Sequence, residues 1–187
     1  MKKTSILEWL SLDGYFSGPN EETDWFVMDE ATQEHLLKLF RSVDTILLGR
    51  VTYELFTSYW PTPASSKENP VELVDFMNNS RKIVFSSSLE KPEWNNAELA
   101  KSIDQAAISE MKQGPGKDMI IFGSGSIVSR LTKLKLIDQY YFLINPVFIG
   151  AGKPIFKNDE AKSKLKLLDT KTFDCGNILL QYELDKK

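Results

Sequence analysis

Cysteine and histidine are almost missing from this chain: Cys175 and His35 are single copies among 187 residues. A lone cysteine cannot close an intramolecular disulfide, and one residue of each kind cannot build the Cys/His set of a zinc site or a zinc deaminase. His35 lies mid-helix with no nucleophile to serve and reads as a surface histidine. Cys175, at an expected hairpin without an activator, receives no role. Long hydrophobic runs are also lacking, and none reaches the ~20 residues of a membrane helix. Glu8 interrupts the N-terminal apolar stretch, so no signal-like core forms there. Charge of neither sign dominates. The net charge of -3 supplies no basic footprint for nucleic acid. These absences predict a cytoplasmic chain that works on a small molecule, not on nucleic acid or a membrane.

What is present is an alternation of apolar runs and helical spacings. Ser5–Leu12 reads as a strand ending at the turn pair Asp13-Gly14, followed by a loop over Ser17–Asp24. Met28–Val43 has helical spacing at Leu36, Leu37, Phe40 and Val43. Thr45–Leu48, Lys82–Phe85 and Met119–Phe122 are short continuous apolar runs, the pattern of strands buried on both faces. Val51–Trp60 reads as a helix stopped by Pro61 and Pro63, Thr62–Asn69 as a surface loop, and Pro70–Asn78 as a short helix with proline first. Ser102–Lys112 is helical in pattern, and a further helix follows Phe122 to about Lys133. Gln139–Ile149 and Leu165–Leu184 read as long strands, the latter folded at Cys175-Gly176-Asn177. The chain is expected to form one α/β domain over residues 1–187. Its mostly parallel sheet would be flanked by helices in three layers and extended by a C-terminal antiparallel hairpin.

Two strand-to-helix junctions carry the chemistry. Phe122-Gly123-Ser124-Gly125-Ser126 joins a buried strand to a helix through small residues. Such a turn can leave backbone N–H groups free in front of a positive helix dipole, which suits phosphate. The second junction, Leu48-Gly49-Arg50-Val51-Thr52, puts an arginine at a helix start, an unfavourable place unless an anion pairs with it. Neither is a standard fingerprint. Val128 occupies the third glycine position of G-x-G-x-x-G, and no Gly-Lys-Ser/Thr follows to make a phosphate-binding loop of the Walker kind. Small residues also serve tight turns for steric reasons alone.

These segments, taken in order, resemble the dihydrofolate-reductase-like family, in the branch of the RibD C-terminal reductase domain of riboflavin biosynthesis. The matching residues are Ser11-Leu-Asp13-Gly14-Tyr15, Asp24-Trp25, Leu48–Glu54, Ser86-Ser87-Ser88, Phe122–Ser126 and Asn145-Pro146 through Gly150-Ala-Gly152-Lys-Pro-Ile-Phe156. The resemblance spans nearly the whole chain. It implies a dihydrofolate-reductase-like fold and an oxidoreductase that uses NADPH. Gly49, Arg50 and Thr52 would hold phosphate oxygens, with Gly123, Ser124, Gly125 and Ser126 on the pyrophosphate. Ser86, Ser87 and Ser88 would face the adenosine 2′-phosphate, where a carboxylate would favour NAD; Lys91 is the nearest basic residue.

On the substrate side the resemblance places Ser11 and Trp25 as binding residues and Asp13 and Asp24 as catalytic carboxyls near the nicotinamide. One of these carboxyls, with a raised pKa, would assist protonation. The blander readings are a turn for Asp13-Gly14, a helix cap for Asp24 and core packing for Trp25. The implied substrate is a flat heterocycle, either a ribosylaminopyrimidine reduced as by a 5-amino-6-(5-phosphoribosylamino)uracil reductase or a pterin. The acid that precedes a Trp-Phe pair in dihydrofolate reductases falls here on Glu22. The alternative is a non-catalytic nucleotide-binding regulatory protein that kept the fold. No metal is expected, and Glu21-Glu22 and Asp159-Glu160 read as solvated charges. The apolar stretch Tyr140–Phe148, with Pro146 suited to an edge or a bulge, and the resemblance itself both predict a homodimer.

Overall fold

The computed structural model describes residues 1–156 and 162–185; Asp159 and Glu160 lie outside them. An eight-stranded sheet organises the chain. It contains β1 (Thr4–Ser11), β3 (Val43–Gly49), β4 (Arg81–Phe85), β5 (Ala97–Ala100), β6 (Asp118–Phe122), β7 (Gln139–Asn145), β9 (Leu165–Thr172) and β10 (Ile178–Leu184). Their order is β5-β4-β3-β6-β1-β7-β10-β9. All neighbours from β5 to β7 are parallel, whereas β10 runs antiparallel to both β7 and β9. The helices are α1 (Glu30–Phe40), α2 (Arg50–Tyr59), α3 (Pro63–Glu68), α4 (Val71–Asn79), α5 (Gln105–Gln113) and α6 (Gly125–Lys133). A small ribbon pairs β2 (Tyr15–Ser17) with β8 (Lys153–Pro154). The mostly parallel sheet, its flanking helices and the C-terminal antiparallel hairpin are all as the sequence predicts.

The central strands are continuous apolar runs because both faces are covered. Alternate residues feed two cores. Leu7, Leu48, Ile120 and Leu143 meet α1, α2 and α4 on one face. Ile6, Leu47, Ile121 and Tyr140 meet α5 and α6 on the other. The edge strand β9 is exposed along its whole length. That contrast follows from position: a strand covered on neither face gains nothing from a second apolar row.

Several boundaries depart from the sequence reading. β2, β5 and β8 have no counterpart in the sequence reading, because two to four residues are too few to show a period. α3 lies inside the expected Thr62–Asn69 loop. Thr62 caps it and Pro63 sits at its start, so the same residues that suggested a loop begin a helix. Pro70 is the residue before α4 rather than its first. α5 begins at Gln105, capped by the Asp104 side chain. The edge expectation for Tyr140–Phe148 is corrected: β7 lies between β1 and β10, ends at Asn145, and leaves Pro146 just beyond the ladder.

Candidate functional site

Parallel strands place all their C-terminal ends on one rim, where ligands of open α/β sheets bind. Because β4, β3 and β6 are neighbours, that rim gathers the turns after each of them. A cavity of about 300 Å³ opens there, lined by Gly49, Arg50, Val51, Phe85, Ser86, Ser87, Ser88, Ser124 and Ser126. Three segments far apart in sequence, each singled out for phosphate, thus meet in one place.

The two helix junctions interlock. A Cβ on Gly49 would collide with Ser124 Oγ, so glycine is what lets the turns approach. A Cβ on Gly123 would lie 3.0 Å from Thr52 Oγ1, and Gly123 adopts φ +55. Ser124 follows at φ 63, an uncommon conformation for a residue with a side chain. Two successive left-handed residues turn the chain sharply into α6. Thr52 packs on Gly123 and does not line the cavity; it holds the turn.

The helix starts at this rim are chemically distinct. Asp29, Thr62 and Asp104 cap α1, α3 and α5 with side-chain acceptors. Gly49 and Ser124, the residues preceding α2 and α6, make no such bond, and neither helix has an acid in its first turn. Free N–H groups at the positive ends of two dipoles therefore face a cavity whose lining has no carboxylate among the described residues. Arg50 adds a cation. Its guanidinium reaches Glu54 at 2.7 Å, an exposed pair within one helix that an incoming anion can displace at small cost. Ser86 is partly committed, since its Oγ accepts from the N–H groups of Leu89 (2.9 Å) and Ser88 (3.2 Å). Ser87 and Ser88 are exposed at the cavity, whereas Lys91 is not part of its lining. The residues present fit the phosphates of a dinucleotide.

A second cavity, about 170 Å³, lies on the α1, α2 and α4 side of the sheet. Its lining includes Trp9, Gln33, Leu36, Phe56, Tyr59, Trp60, Leu73 and Phe122. Phe122 ends β6 and is followed directly by Gly123, so the apolar cavity and the phosphate turn share a strand end.

The expected substrate residues are placed elsewhere. Asp13 is exposed; its carboxylate accepts from Gly150 N–H at 2.8 Å and Ile149 N–H at 3.3 Å. The Ser11 hydroxyl first, then these backbone N–H groups, lower its pKa. That corrects the expectation of a raised pKa: Asp13 fastens a loop. Buried Ser11 accepts from Tyr15 N–H through its hydroxyl. Asp24 is exposed in a turn, beside a half-buried Trp25 that donates to Glu22 O and packs edge-on against Phe26. None of these four lines either cavity. Glu22 binds back to Asn20 within its own loop. His35 is half-buried against Phe173 rather than on the open surface.

Among the described residues, the carboxyl with a raised pKa is Glu8, for which the sequence gives no functional expectation. It is 4% exposed in β1, one residue past the Leu7–Phe122 pairing and therefore beside Gly123. Burial raises its pKa well above the usual carboxylate range, with N–H groups of Trp9 and Gly123 opposing. Its Oε2 has no partner. The sequence signal was there, an acid in the middle of an apolar strand, but it reads equally as an interruption. Two buried asparagines, to which the sequence reading gives no role of their own, hold a loop. Asn145 Oδ1 accepts from Val27 N–H at 2.8 Å, and Asn177 Nδ2 donates to Val27 O at 2.6 Å. Together they fix the loop before α1. Among the described residues, no group of three or more His, Cys, Asp and Glu side chains could hold a metal ion, and no helix is long and apolar enough to cross a membrane.

Comparison with known proteins agrees with this architecture. The YyaP protein of Bacillus subtilis (strain 168), itself uncharacterized, is 30% identical over 173 residues, covering 92% of this chain and 90% of that one. Among solved structures, a protein of Shewanella sp. PV-4 assigned provisionally to riboflavin biosynthesis has a TM-score of 0.78 at 18% identity, covering 98% of this chain and 99% of that one. The deaminase/5-amino-6-(5-phosphoribosylamino)uracil reductase of Thermotoga maritima has a TM-score of 0.66 at 14% identity, covering 98% of this chain and 57% of the longer protein. The fold is thus dihydrofolate-reductase-like, as in RibD structures. A family model for the RibD C-terminal domain matches residues 6–179, and the chain belongs to that family.

Proposed function

We propose that the protein is an NADPH-dependent reductase that reduces a small flat ring compound. The observation that carries this reading is the convergence of two uncapped helix N-termini, Arg50 and exposed serines on one cavity that no carboxylate lines among the described residues. When bound there, NADPH supplies the hydride. The backbone of Gly123–Ser126 would hold its pyrophosphate, Arg50 a phosphate by charge, and Ser87 and Ser88 the 2′-phosphate. Gly49 and Thr52 shape the cradle, and Ser86 braces the serine turn. The apolar cavity beyond Phe122 would receive the ring. The family suggests a ribosylaminopyrimidine of the riboflavin pathway, or a pterin, as that ring.

We place the protein in the cytoplasm as a homodimer. Leu165, Leu167, Leu168 and Ile178 are exposed on the last two strands, apolar surface that a second copy could cover. Light scattering at micromolar concentration should give a dimeric mass; a monomeric mass would remove this part.

Calorimetric titration with NADPH and NADH tests the main reading. NADPH should bind at least tenfold more tightly, and Ser87→Asp should erase the difference by setting a carboxylate against the 2′-phosphate. Failure to bind either nucleotide would end the cofactor assignment. Asp13, Asp24, Ser11 and Trp25 all lie off both cavities, which favours one second reading: a nucleotide-binding regulator without turnover. Tight NADPH binding with no oxidation across a panel of acceptors would select it.

A further inference from the structure

The apolar cavity carries information about the ring that the family resemblance does not. Six aromatic side chains surround it: Trp9, Phe40, Phe56, Tyr59, Trp60 and Phe122. The rest of its lining is aliphatic except for Gln33 and Asn69, and no charged side chain is among it. Asn69 is occupied, donating through Nδ2 to Tyr59 Oη at 2.7 Å and Ser65 O at 3.0 Å. Tyr59 Oη in turn donates to Glu68 Oε2 at 2.8 Å. The Gln33 side-chain amide has no hydrogen-bond partner among the described residues. Gln33 is half-buried on α1, and the wall it joins is almost wholly apolar.

This lining discriminates by charge. A phosphate or carboxylate taken into such a cavity would lose its hydration and find no cation, a cost of several kcal/mol. An uncharged ring loses little and gains stacking against the aromatic walls. Size also selects: an engineered apolar cavity of about 150 Å³ accommodates benzene, so about 170 Å³ suits one ring with a short substituent. We infer that the ring recognised here is uncharged and mainly apolar, held by stacking against the aromatic walls, with no phosphate or carboxylate inside the cavity. This rests on the reductase reading only in identifying the cavity as the acceptor's; the binding itself does not require NADPH.

Four probes test it: acetophenone, its charged counterpart benzoate, toluene, and 5-amino-6-ribosylaminouracil 5′-phosphate. Binding is followed by quenching of the protein's tryptophan fluorescence, with Trp9 and Trp60 in the cavity wall, in the absence and presence of NADPH. Acetophenone should bind at least tenfold more tightly than benzoate or the phosphorylated pyrimidine. Toluene should bind within threefold of acetophenone, because the apolar wall requires no polar partner from the ring. Equal or tighter binding of either charged probe would overturn the inference. If acetophenone binds as stated but NADPH does not, the reductase reading fails while the site stands. If NADPH binds and the uncharged probes do not, the reductase reading stands and the site fails.

Discussion

The two cavities meet at Phe122–Gly123 and differ in almost every other respect. The one at the ends of β3, β4 and β6 is built from backbone: glycines that allow close approach, helix starts without caps, and short hydroxyls. The one beyond Phe122 is built from side chains on β1, α1, α2, α3–α4 and β6, nearly all apolar. The first is suited to a charged cofactor handle and the second to an uncharged ring. A reductase needs both, since the handle supplies affinity and the ring site supplies choice.

Variants that touch one cavity and spare the other make this contrast testable. The largest expected effect is from Phe122→Ala, at the junction. Removing this 5% exposed ring should cost about 3–5 kcal/mol of stability in chemical denaturation, and the enlarged apolar cavity should admit bulkier rings. A loss under 1 kcal/mol would mean the walls are not packed as described. Next is Arg50→Ala, which should weaken NADPH by about 1.5–3 kcal/mol, the scale of a hydrogen bond to a charged group. Acetophenone affinity should not change. Calorimetry reads both, and unaltered NADPH affinity would remove Arg50 from the site.

Glu8→Gln examines the strand beneath the phosphate turn through pH. The folded pKa of Glu8 lies above the ordinary 4.5. Its stabilising contribution is therefore complete below about pH 4.5 and is lost as pH rises through the folded value. Glu8→Gln should remain more stable than the parent at pH 8 and lose that advantage near pH 4; parallel stability curves would contradict the shift. The smallest effect is expected at Asp29, which ties α1, a wall of the apolar cavity, to the C-terminal hairpin through Cys175 N–H at 3.0 Å. Hydrogen bonds from Thr32, first its hydroxyl and then its N–H, hold its pKa at about 2 rather than 3.8. Its contribution is present above about pH 4 and disappears as pH falls towards 2. Asp29→Asn should flatten that part of the acid-unfolding curve and leave NADPH binding alone.

The same contrast explains what could be read from the sequence. The β3, β4 and β6 cores are continuous apolar runs, and the turns after them are local signals, so both the sheet and the rim where those turns meet are legible in the sequence. Gly49 and Gly123 were read correctly as turn residues, but their collision partners, Ser124 and Thr52, required the fold. The apolar cavity left no local trace: Trp9, Gln33, Trp60 and Phe122 are separated by whole elements, and each alone looks like packing. Asp13 and Asp24 are conspicuous because acids in turns draw notice, while Glu8, hidden in a strand, is the one whose pKa is raised. Residues assembled from distant segments by burial are the ones a single sequence conceals.

Hydrogen exchange with and without NADPH tests the central claim most directly, because it reports where the nucleotide sits. Amides of residues 49–52, 86–88 and 123–126 should gain protection together, with little change in α5 and the β9–β10 hairpin. Protection confined to other segments, or none at saturating NADPH, would contradict the account.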